Sequence, residues 1–252
     1  MTSRYLPALA LAAGLAAAPA SAFEIDAMTD SERDAFRDEV RAYLLDNPDV
    51  IMEAIEVLER RRAAEQVAGD AALVKTNAEA IFNDGVSFVG GNPDGDVTFV
   101  EFVDYKCGYC KKAYPELQEL IESDGNIRII YKEFPILGEE SLLASRFAVS
   151  TLLSDGGAAY ESLHDALMTM RGNVTPDSLV ALADGLGLDG DAILDGMTAP
   201  RVDEIISDNH ALAQRLQITG TPTFVMEDQL VRGYVPLGGM VEIVGELREG
   251  KQ

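Results

Sequence analysis

A run of strand-forming residues leads directly into the only two cysteines of the chain, and this feature constrains the fold more than any other. Residues 97–103 are rich in β-branched and aromatic side chains and follow a turn-forming cluster at 92–96, which predicts a buried strand. After the cysteines, residues 111–121 carry apolar side chains at helical spacing. The pattern therefore predicts a strand, a Cys-Gly-Tyr-Cys motif and a helix, with Cys107 at the N-terminus of that helix.

The position predicted for Cys107 favours redox chemistry. At a helix N-terminus, unpaired backbone N–H groups and the helix dipole favour a thiolate over a thiol, so the pKa of Cys107 is expected to be low. Cys110 follows one turn further along and is the expected resolving thiol. The predicted chemistry is therefore thiol-disulfide exchange, in which Cys107 attacks a substrate disulfide and Cys110 can release the mixed disulfide.

Three other uses of the two cysteines fit the sequence less well. A structural disulfide across four residues would stabilise the chain by only about 2 kcal/mol, against about 4 to 5 kcal/mol for a long loop. A zinc or copper site needs more ligands, and His164 and His210 have no ligand spacing. A c-type haem site needs a histidine directly after the second cysteine, where this chain has Lys111. We therefore expect no metal and no cofactor.

A second motif lies far downstream, where residues 220–223 read Gly-Thr-Pro-Thr and open an apolar strand. Because proline donates no backbone N–H, its place here is typical of a turn or a cis bond at the start of a strand. Together with the CxxC unit, this motif resembles the thioredoxin superfamily. The resemblance implies that the proline loop packs against the cysteines and that Thr221 and Pro222 help to bind the substrate backbone.

The spacing between the two motifs narrows the resemblance to DsbA-like proteins. Over one hundred residues with several helical patterns separate Cys110 from Pro222, which is similar to the helical insertion of the Dsb proteins. The stretches 101–107 and 131–138 also resemble segments of DsbA-like proteins. The resemblance implies an α/β chain with a thioredoxin fold and an inserted helical domain at about 139–199.

The same resemblance assigns roles to residues around the cysteines. Glu101 matches the buried acid that assists proton transfer in DsbA, although without the family match a strand-edge carboxylate facing water would be an equal interpretation. The resemblance implies that Gly108 and Tyr109, between the cysteines, help to bind the substrate, and that these two residues and Thr221, before the proline, tune the redox balance. The sequence Cys-Gly-Tyr-Cys with a threonine before the proline resembles the DsbC-type isomerases more than the oxidase DsbA.

These signals lead to three functional hypotheses. The first is a protein disulfide isomerase or reductase acting on misfolded secreted proteins. The second is a DsbA-like oxidase that acts on reduced secreted proteins and is recycled by a quinone-linked membrane partner. The third is a holdase or copper-binding protein for which the CxxC motif is secondary.

The N-terminal residues predict secretion. Residues 1–22 combine Arg4, an apolar run of alanine and leucine, and Ala-Ser-Ala before Phe23, which is typical of a cleaved signal peptide too short to span a membrane. We therefore expect the protein to lie in the periplasm, an oxidising compartment, where a single CxxC motif is typical of thiol-disulfide exchange. Removing Arg4 takes the formal net charge from -23 to -24, which disfavours nucleic acid and anionic membrane surfaces as partners.

Residues 23–84 predict a helical arm in front of a catalytic domain assigned to residues 85–252. Residues 29–32 read Thr-Asp-Ser-Glu, a capping-box pattern, and Asn-Pro at 47–48 predicts a break between two helices. Apolar residues then recur in four-three spacing through residues 51–81, as in a coiled-coil seam. Such stripes must be buried, either against the catalytic domain or against copies of the same arm.

The arm has a resemblance of its own. A helical arm with Asp-Asn-Pro between its helices, followed by a DsbA-like domain, looks like the ScsC-type periplasmic proteins, whose name refers to suppression of copper sensitivity. The resemblance implies a homotrimer joined through the arm, with a monomer carrying a docked arm as the alternative. It also implies a link to copper tolerance and a membrane redox partner, a ScsB/DsbD-like reductase.

Periodicity and turn signals predict the other elements of the catalytic domain. An edge strand is expected at 86–89. The remaining predicted strands are 127–131, 223–226 and 230–232, and the remaining predicted helices are 141–154, 158–170, 176–186, 200–216 and one containing 241–247.

Overall fold

A computed structural model describes residues 27–250 of the chain. The predicted signal peptide lies outside the described residues. Contacts within the chain divide it into one unit that ends at Arg60 and a second unit that begins at Arg61. No helix within residues 27–250 combines the length and the apolarity that crossing a membrane requires.

The first unit contains helix α1 (Asp30–Asp46) and the beginning of helix α2 (Asp49–Thr76). The predicted capping box is present, because the Glu32 backbone N–H donates to the Thr29 hydroxyl and the Thr29 backbone N–H donates to the Glu32 carboxylate. Helix α1 ends at Asp46, and α2 begins directly after Pro48. Helix α1 therefore begins at the predicted capping box, and the predicted break at residues 47–48 separates the two helices.

The apolar stripes of the first unit are exposed. No residue of α1 is buried. The exposed large apolar side chains of this unit are Phe36, Val40, Tyr43, Leu45, Ile51, Met52, Ile55, Val57 and Leu58. Exposed apolar side chains in this number are typical of an interaction surface.

In the described part of the chain, a five-stranded mixed sheet forms the centre of the second unit. Its strands are β1 (Phe88–Gly91), β2 (Val97–Val103), β3 (Ile127–Glu133), β4 (Thr223–Met226) and β5 (Gln229–Arg232). The strand order is β1-β3-β2-β4-β5, in which β2 and β3 are parallel and the other neighbours are antiparallel. The predicted strand before the cysteines is confirmed, whereas the edge strand β1 begins two residues later than predicted.

Helices cover both faces of this sheet. Helices α4 (Gly108–Asp124), α5 (Glu139–Asp155), α6 (Gly157–Thr169) and α10 (Leu237–Glu249) contribute to the core on one face. The end of α2, helix α3 (Ala78–Phe82) and helix α9 (Pro200–Arg215) contribute to the core on the other. Between β3 and β4, helices α5, α6, α7 (Pro176–Gly185) and α8 (Gly190–Gly196) form the predicted helical insertion into a thioredoxin fold.

Two features differ from the sequence-based expectation. Helix α8 was not predicted, because seven residues with glycine at both ends contain no complete apolar period. The end of the predicted arm also packs with the second unit, since Val74 and Ile81 are buried against the sheet. Arg232 donates to both carboxylate oxygens of Asp70, at 2.7 and 2.9 Å. The domain boundary after residue 84 stays a prediction, but these contacts join the end of the arm to the body that carries the cysteines.

Candidate active site

The two cysteines lie at the junction of β2 and α4, at different depths. Cys107 is the N-cap residue of α4, and its Sγ accepts a hydrogen bond from the Cys110 backbone N–H at 3.4 Å. Cys107 retains 6% of its surface exposed, whereas Cys110 is fully buried, and both are free thiols. An incoming sulfur can therefore reach Cys107 first, with Cys110 directly behind it.

The surroundings of the two sulfurs separate their acidities. A hydrogen bond from the Cys110 thiol, together with the backbone N–H groups of Tyr109 and Cys110, lowers the pKa of Cys107 from 9.0 to about 5. The Cys110 thiol donates that hydrogen bond and is also buried, and both effects raise its pKa far above the ordinary value, the hydrogen bond more than the burial. At neutral pH the pair therefore consists of a Cys107 thiolate and a Cys110 thiol, as the helix N-terminus predicts.

The proline loop lies against the cysteines. The peptide bond between Thr221 and Pro222 is cis, and Pro222 is buried. The backbone oxygen of Thr221 lies 3.1 Å from Sγ of Cys107. The fold thus brings together two motifs that are more than one hundred residues apart in sequence. Substrate binding by Thr221 and Pro222 stays a prediction.

The residues between the cysteines are exposed beside an aromatic side chain that sequence analysis missed. Gly108 has open space around its Cα, and Tyr109 is 63% exposed. The ring centroid of Tyr109 lies 6.4 Å from that of Tyr234, and Nζ of Lys112 lies 4.1 Å from the Tyr234 ring centroid. Tyr234 is partly buried and lies between β5 and α10 in no recognisable motif, so only the folded chain reveals that it pairs with the exposed Tyr109.

Glu101 lies on β2 and is 1% exposed, so the alternative of a strand-edge carboxylate facing water is wrong. Neither of its carboxylate oxygens has a hydrogen-bond partner among the described residues. Burial raises its pKa to about 8, and the nearby charges of Cys107 and Glu133 add to the effect. A carboxyl with this pKa can accept or return a proton near neutral pH, as its predicted role requires.

A second buried carboxyl near the site was also missed. Glu133, the last residue of β3, is 3% exposed and accepts hydrogen bonds from the hydroxyls of Tyr105 and Tyr160. Its immediate sequence is a Lys-Glu pair after an apolar run, which looks like the solvated end of a strand, and the resemblance of residues 131–138 to DsbA-like proteins assigned it no role. Among the described residues, no group of three or more His, Cys, Asp or Glu side chains is arranged to hold a metal ion.

Lysines on both sides of the motif connect it to the helical insertion. Nζ of Lys106 lies 2.7 Å from the carboxylate of Glu140 at the start of α5. Nζ of Lys111 donates to the backbone oxygens of Leu167 and Met170, at 3.2 and 2.6 Å, at the end of α6. The start of α4 is therefore held from two directions by residues of the insertion.

Comparison with known proteins agrees with this geometry. The profile of the DSBA-like thioredoxin domain family matches residues 98–244, and that of the copper resistance protein ScsC N-terminal domain matches residues 32–65. A thioredoxin-like oxidoreductase from Silicibacter pomeroyi is 42% identical, covering 68% of this chain and 97% of that chain, with a TM-score of 0.64. A linker-deletion mutant of Proteus mirabilis ScsC is 26% identical, covering 89% of this chain and 98% of that chain, with a TM-score of 0.67.

A curated relative is considerably longer than this chain. A Na(+)/H(+) antiporter NhaA 1 from Salinispora arenicola is 29% identical over 145 residues, which cover 58% of this chain and 22% of that protein. The chain therefore spans less than a quarter of that relative's length. Since the matched profile covers more than half of the sequence, the chain belongs to the DSBA-like thioredoxin domain family of thiol-disulfide oxidoreductases and carries an ScsC-type N-terminal domain.

Proposed function

We propose that the chain is a periplasmic protein disulfide isomerase or reductase that acts on misfolded secreted proteins through Cys107 and Cys110. The observation that carries the proposal is the difference between the two sulfurs. Cys107 retains 6% of its surface exposed and its pKa is lowered to about 5, whereas Cys110 is fully buried behind it with a raised pKa. This division suits an attacking thiolate with a resolving thiol in reserve.

The first step is attack of the Cys107 thiolate on one sulfur of a substrate disulfide. A bond forms between that sulfur and Sγ of Cys107, the substrate S–S bond breaks, and the other substrate sulfur leaves as a thiolate. In isomerisation this thiolate attacks another disulfide of the substrate, and a later attack on the mixed disulfide releases Cys107 as a thiolate. The number of disulfides in the substrate is then unchanged.

In reduction the mixed disulfide is resolved by Cys110. Its thiol proton passes to the carboxylate of Glu101, its sulfur attacks Sγ of Cys107, and the substrate sulfur leaves as a thiolate. The substrate has gained two electrons and the protein holds a Cys107–Cys110 disulfide. A membrane reductase of the ScsB/DsbD type would return that disulfide to the dithiol.

Substrate contacts are assigned to the surface around Cys107. The backbone of Thr221 and Pro222 offers an extended edge whose carbonyl already lies 3.1 Å from the attacking sulfur. The open backbone at Gly108 allows close approach, and the exposed ring of Tyr109 offers an apolar contact. A substrate cysteine within an extended segment would meet Cys107 between these two surfaces.

The first unit is assigned to self-assembly as a homotrimer. Its exposed apolar stripes support this, because such helical faces need a partner and copies of the same arm supply one. Several thiolates around one cleft would suit the capture of misfolded substrates. The match to a copper resistance protein's N-terminal domain supports a role in copper tolerance.

A dithiol oxidase is the second candidate, and one observation favours it. The low pKa of Cys107 stabilises the reduced form and makes its thiolate a good leaving group, so the corresponding disulfide is oxidising. The Cys-Gly-Tyr-Cys sequence and the threonine before the proline favour the isomerase. An assay of both disulfide isomerisation and dithiol oxidation separates the isomerase from the oxidase.

The deciding experiment starts from reduced mature protein and a substrate with scrambled disulfides, with no added thiol. An isomerase restores substrate activity, Cys107→Ser abolishes the effect, and Cys110→Ser accumulates the mixed disulfide. Failure to restore activity, with rapid oxidation of dithiol peptides by the disulfide form, would establish the oxidase instead. Full protection of substrates by a variant with both cysteines replaced by serine would favour a holdase.

The assembly is tested separately by the mass of the mature protein in solution. A trimer is expected at tens of micromolar protein, and replacing the exposed apolar residues Phe36, Val40 and Ile55 with serine should convert it to a monomer. A wild-type monomer at the same concentration would exclude the trimer.

A further inference from the structure

A cluster of buried polar side chains beside the redox site has no part in the mechanism above. It consists of Glu133, Tyr105, Tyr160 and His164, here called the Glu133 cluster. The hydroxyls of Tyr105 and Tyr160 both donate to Oε1 of Glu133, each at 2.7 Å, and the Tyr105 hydroxyl also lies 2.9 Å from Nδ1 of His164. Two buried hydroxyls thus converge on one carboxylate oxygen, and a buried imidazole contacts one of these hydroxyls.

Tyr105 connects the Glu133 cluster to the attacking cysteine. It lies two residues before Cys107, in a turn closed by a hydrogen bond from the Cys107 backbone N–H to the Asp104 backbone oxygen at 3.0 Å. Its ring is 1% exposed, so its hydroxyl has no access to water that would replace Glu133 as an acceptor. Contact between Tyr105 and Glu133 therefore fixes one end of the turn that presents Cys107.

The strand register connects the Glu133 cluster to Glu101. Glu101 on β2 pairs with Tyr131 on β3, and Val103 pairs with Glu133. Because side chains alternate between faces, Glu101 and Glu133 lie on the same face as diagonal neighbours. Two buried carboxyls at this spacing repel each other when both are ionised, and little solvent is present to screen them.

No basic side chain of the described residues forms an ion pair with these two carboxyls. Within residues 27–250 no salt bridge reaches Glu101 or Glu133. The neighbouring Lys132 points to the opposite face, where it pairs with Asp84. Burial lowers the pKa of His164 to about 3, so its ring is neutral. The other titratable groups near the two carboxyls come from four elements. They are Asp104 and Tyr105 in the turn, Cys107, Cys110 and Tyr114 at the N-cap and in α4, Tyr131 in β3, and Tyr160 and His164 in α6.

The hydrogen bonds of the Glu133 cluster assign the proton on the imidazole. Each tyrosine hydroxyl has one proton, and an ionised Glu133 accepts both. The nitrogen Nδ1 of His164 must then donate to the Tyr105 oxygen, which leaves Nε2 as the bare nitrogen. Nε2 has no hydrogen-bond partner among the described residues, as this assignment allows. The cluster thus holds Tyr105 in one orientation.

We propose that Glu133 is a positioning residue of the thiol-exchange site, which holds the Cys107 turn through Tyr105 and, through its own negative charge, makes Glu101 bind the proton that it exchanges with Cys110 more tightly. The proposal rests on the function proposed for Cys107 and Cys110. Burial raises the pKa of Glu133 to about 7, so its charge develops just below the pH at which Glu101 ionises. The two carboxyls then titrate as a coupled pair.

The electrostatic part is tested with Glu133→Gln, which keeps an oxygen acceptor for both tyrosines and removes the charge. The titration of Glu101 is followed by carbon-13 NMR of its side-chain carboxyl in the reduced full-length protein. We expect its midpoint to move to lower pH by on the order of one pH unit. The rate at which Cys110 resolves a Cys107–glutathione mixed disulfide should shift along the pH axis in the same direction. An unchanged Glu101 midpoint would overturn this part.

The positioning part is tested with a matched pair of variants. Tyr105→Phe and Tyr160→Phe each remove one hydrogen bond of 2.7 Å to Oε1 of Glu133, and Tyr105→Phe also removes the contact with Nδ1 of His164. Only Tyr105 belongs to the turn. We expect Tyr105→Phe alone to accelerate hydrogen exchange at the Cys107 backbone N–H, by severalfold. Equal exchange at the Cys107 backbone N–H in both variants would overturn the proposal. If Glu133→Gln does not fold, this comparison alone tests the proposal.

These readouts separate the inference from the proposed function. Neither the carboxyl titration nor the hydrogen exchange requires a substrate, so both test Glu133 even if the chain proves to be an oxidase. Failure of the scrambled-disulfide assay with a shifted Glu101 midpoint would contradict the isomerase alone. Success of that assay with an unchanged midpoint would contradict the inference alone.

Discussion

Replacing Glu101 with glutamine should change the pH dependence of stability of the reduced protein. In the folded chain, burial raises the pKa of Glu101 from 4.5 to about 8, and in the unfolded chain it returns to its ordinary value. Between these two pH values the folded state holds a proton that the unfolded state releases. The wild-type free energy of unfolding therefore falls as pH rises across this range. The variant has no such group and lacks this fall.

The size of the effect follows from the same pKa difference. An interval from 4.5 to about 8 spans about 3.5 pH units, and each is worth about 1.4 kcal/mol. From about pH 4 to about pH 9, the variant should therefore gain about 5 kcal/mol relative to the wild type. The buried amide adds a cost of its own, because the site offers it no hydrogen-bond partner among the described residues. That cost does not depend on pH, so the slope of the difference is diagnostic.

The assay is urea denaturation of the reduced proteins at a series of pH values, followed by circular dichroism. The quantity of interest is the free energy of unfolding of Glu101→Gln minus that of the wild type at each pH. Glu119→Gln is the matched control, because Glu119 is exposed on α4 and water surrounds its side chain in both states. A difference that stays constant for Glu101→Gln would refute the burial argument and remove Glu101 from proton transfer.

Three further predictions concern other parts of the chain. Titration of the reduced protein, followed by thiolate absorbance, should show one thiolate with a midpoint of about 5 for Cys107 and no second thiolate at neutral pH; a first midpoint near that of free cysteine would contradict the site geometry. Lys132→Met should destabilise the protein by about 3 kcal/mol in urea denaturation, because it leaves the partly buried Asp84 without its ion pair, and a neutral result would indicate that Asp84 reaches water. Thr29→Ala should destabilise α1 by about 1 kcal/mol, which raises hydrogen exchange of its amides about fivefold, whereas unchanged exchange would show that partner contacts hold α1 instead.

The segment around the cysteines could be predicted because its signals are local. β-Branched and aromatic residues specify β2, and the apolar spacing after Cys110 specifies α4, so the N-cap position of Cys107 follows from the chain alone. The same held for the capping box at Thr29, which needs only two residues three positions apart. Local patterns were less informative where the chain bends, and β1 accordingly begins two residues later than predicted.

Features that depend on convergence of distant residues could not be predicted. Tyr105 and His164 are 59 residues apart and meet only because α6 packs over the end of β3. The apolar spacing that runs from Ile51 to Ile81 looks uniform in sequence, yet its beginning is exposed and its end is buried against the sheet. Periodicity identifies a face that needs covering, but it does not identify the neighbour that covers it.

The lysine contacts at the start of α4 limit how this protein can be redesigned or recombined. Segments between β3 and β4 look exchangeable among relatives, since they lie between two strands and have helices of their own. Here, however, carbonyls at the end of α6 accept from Lys111, and Glu140 at the start of α5 pairs with Lys106. In a chimera with an insertion from another protein, both lysines would lose these acceptors, and the electric field at the Cys107 thiolate would change. Loop grafting between family members should therefore transplant the two lysines together with the helices.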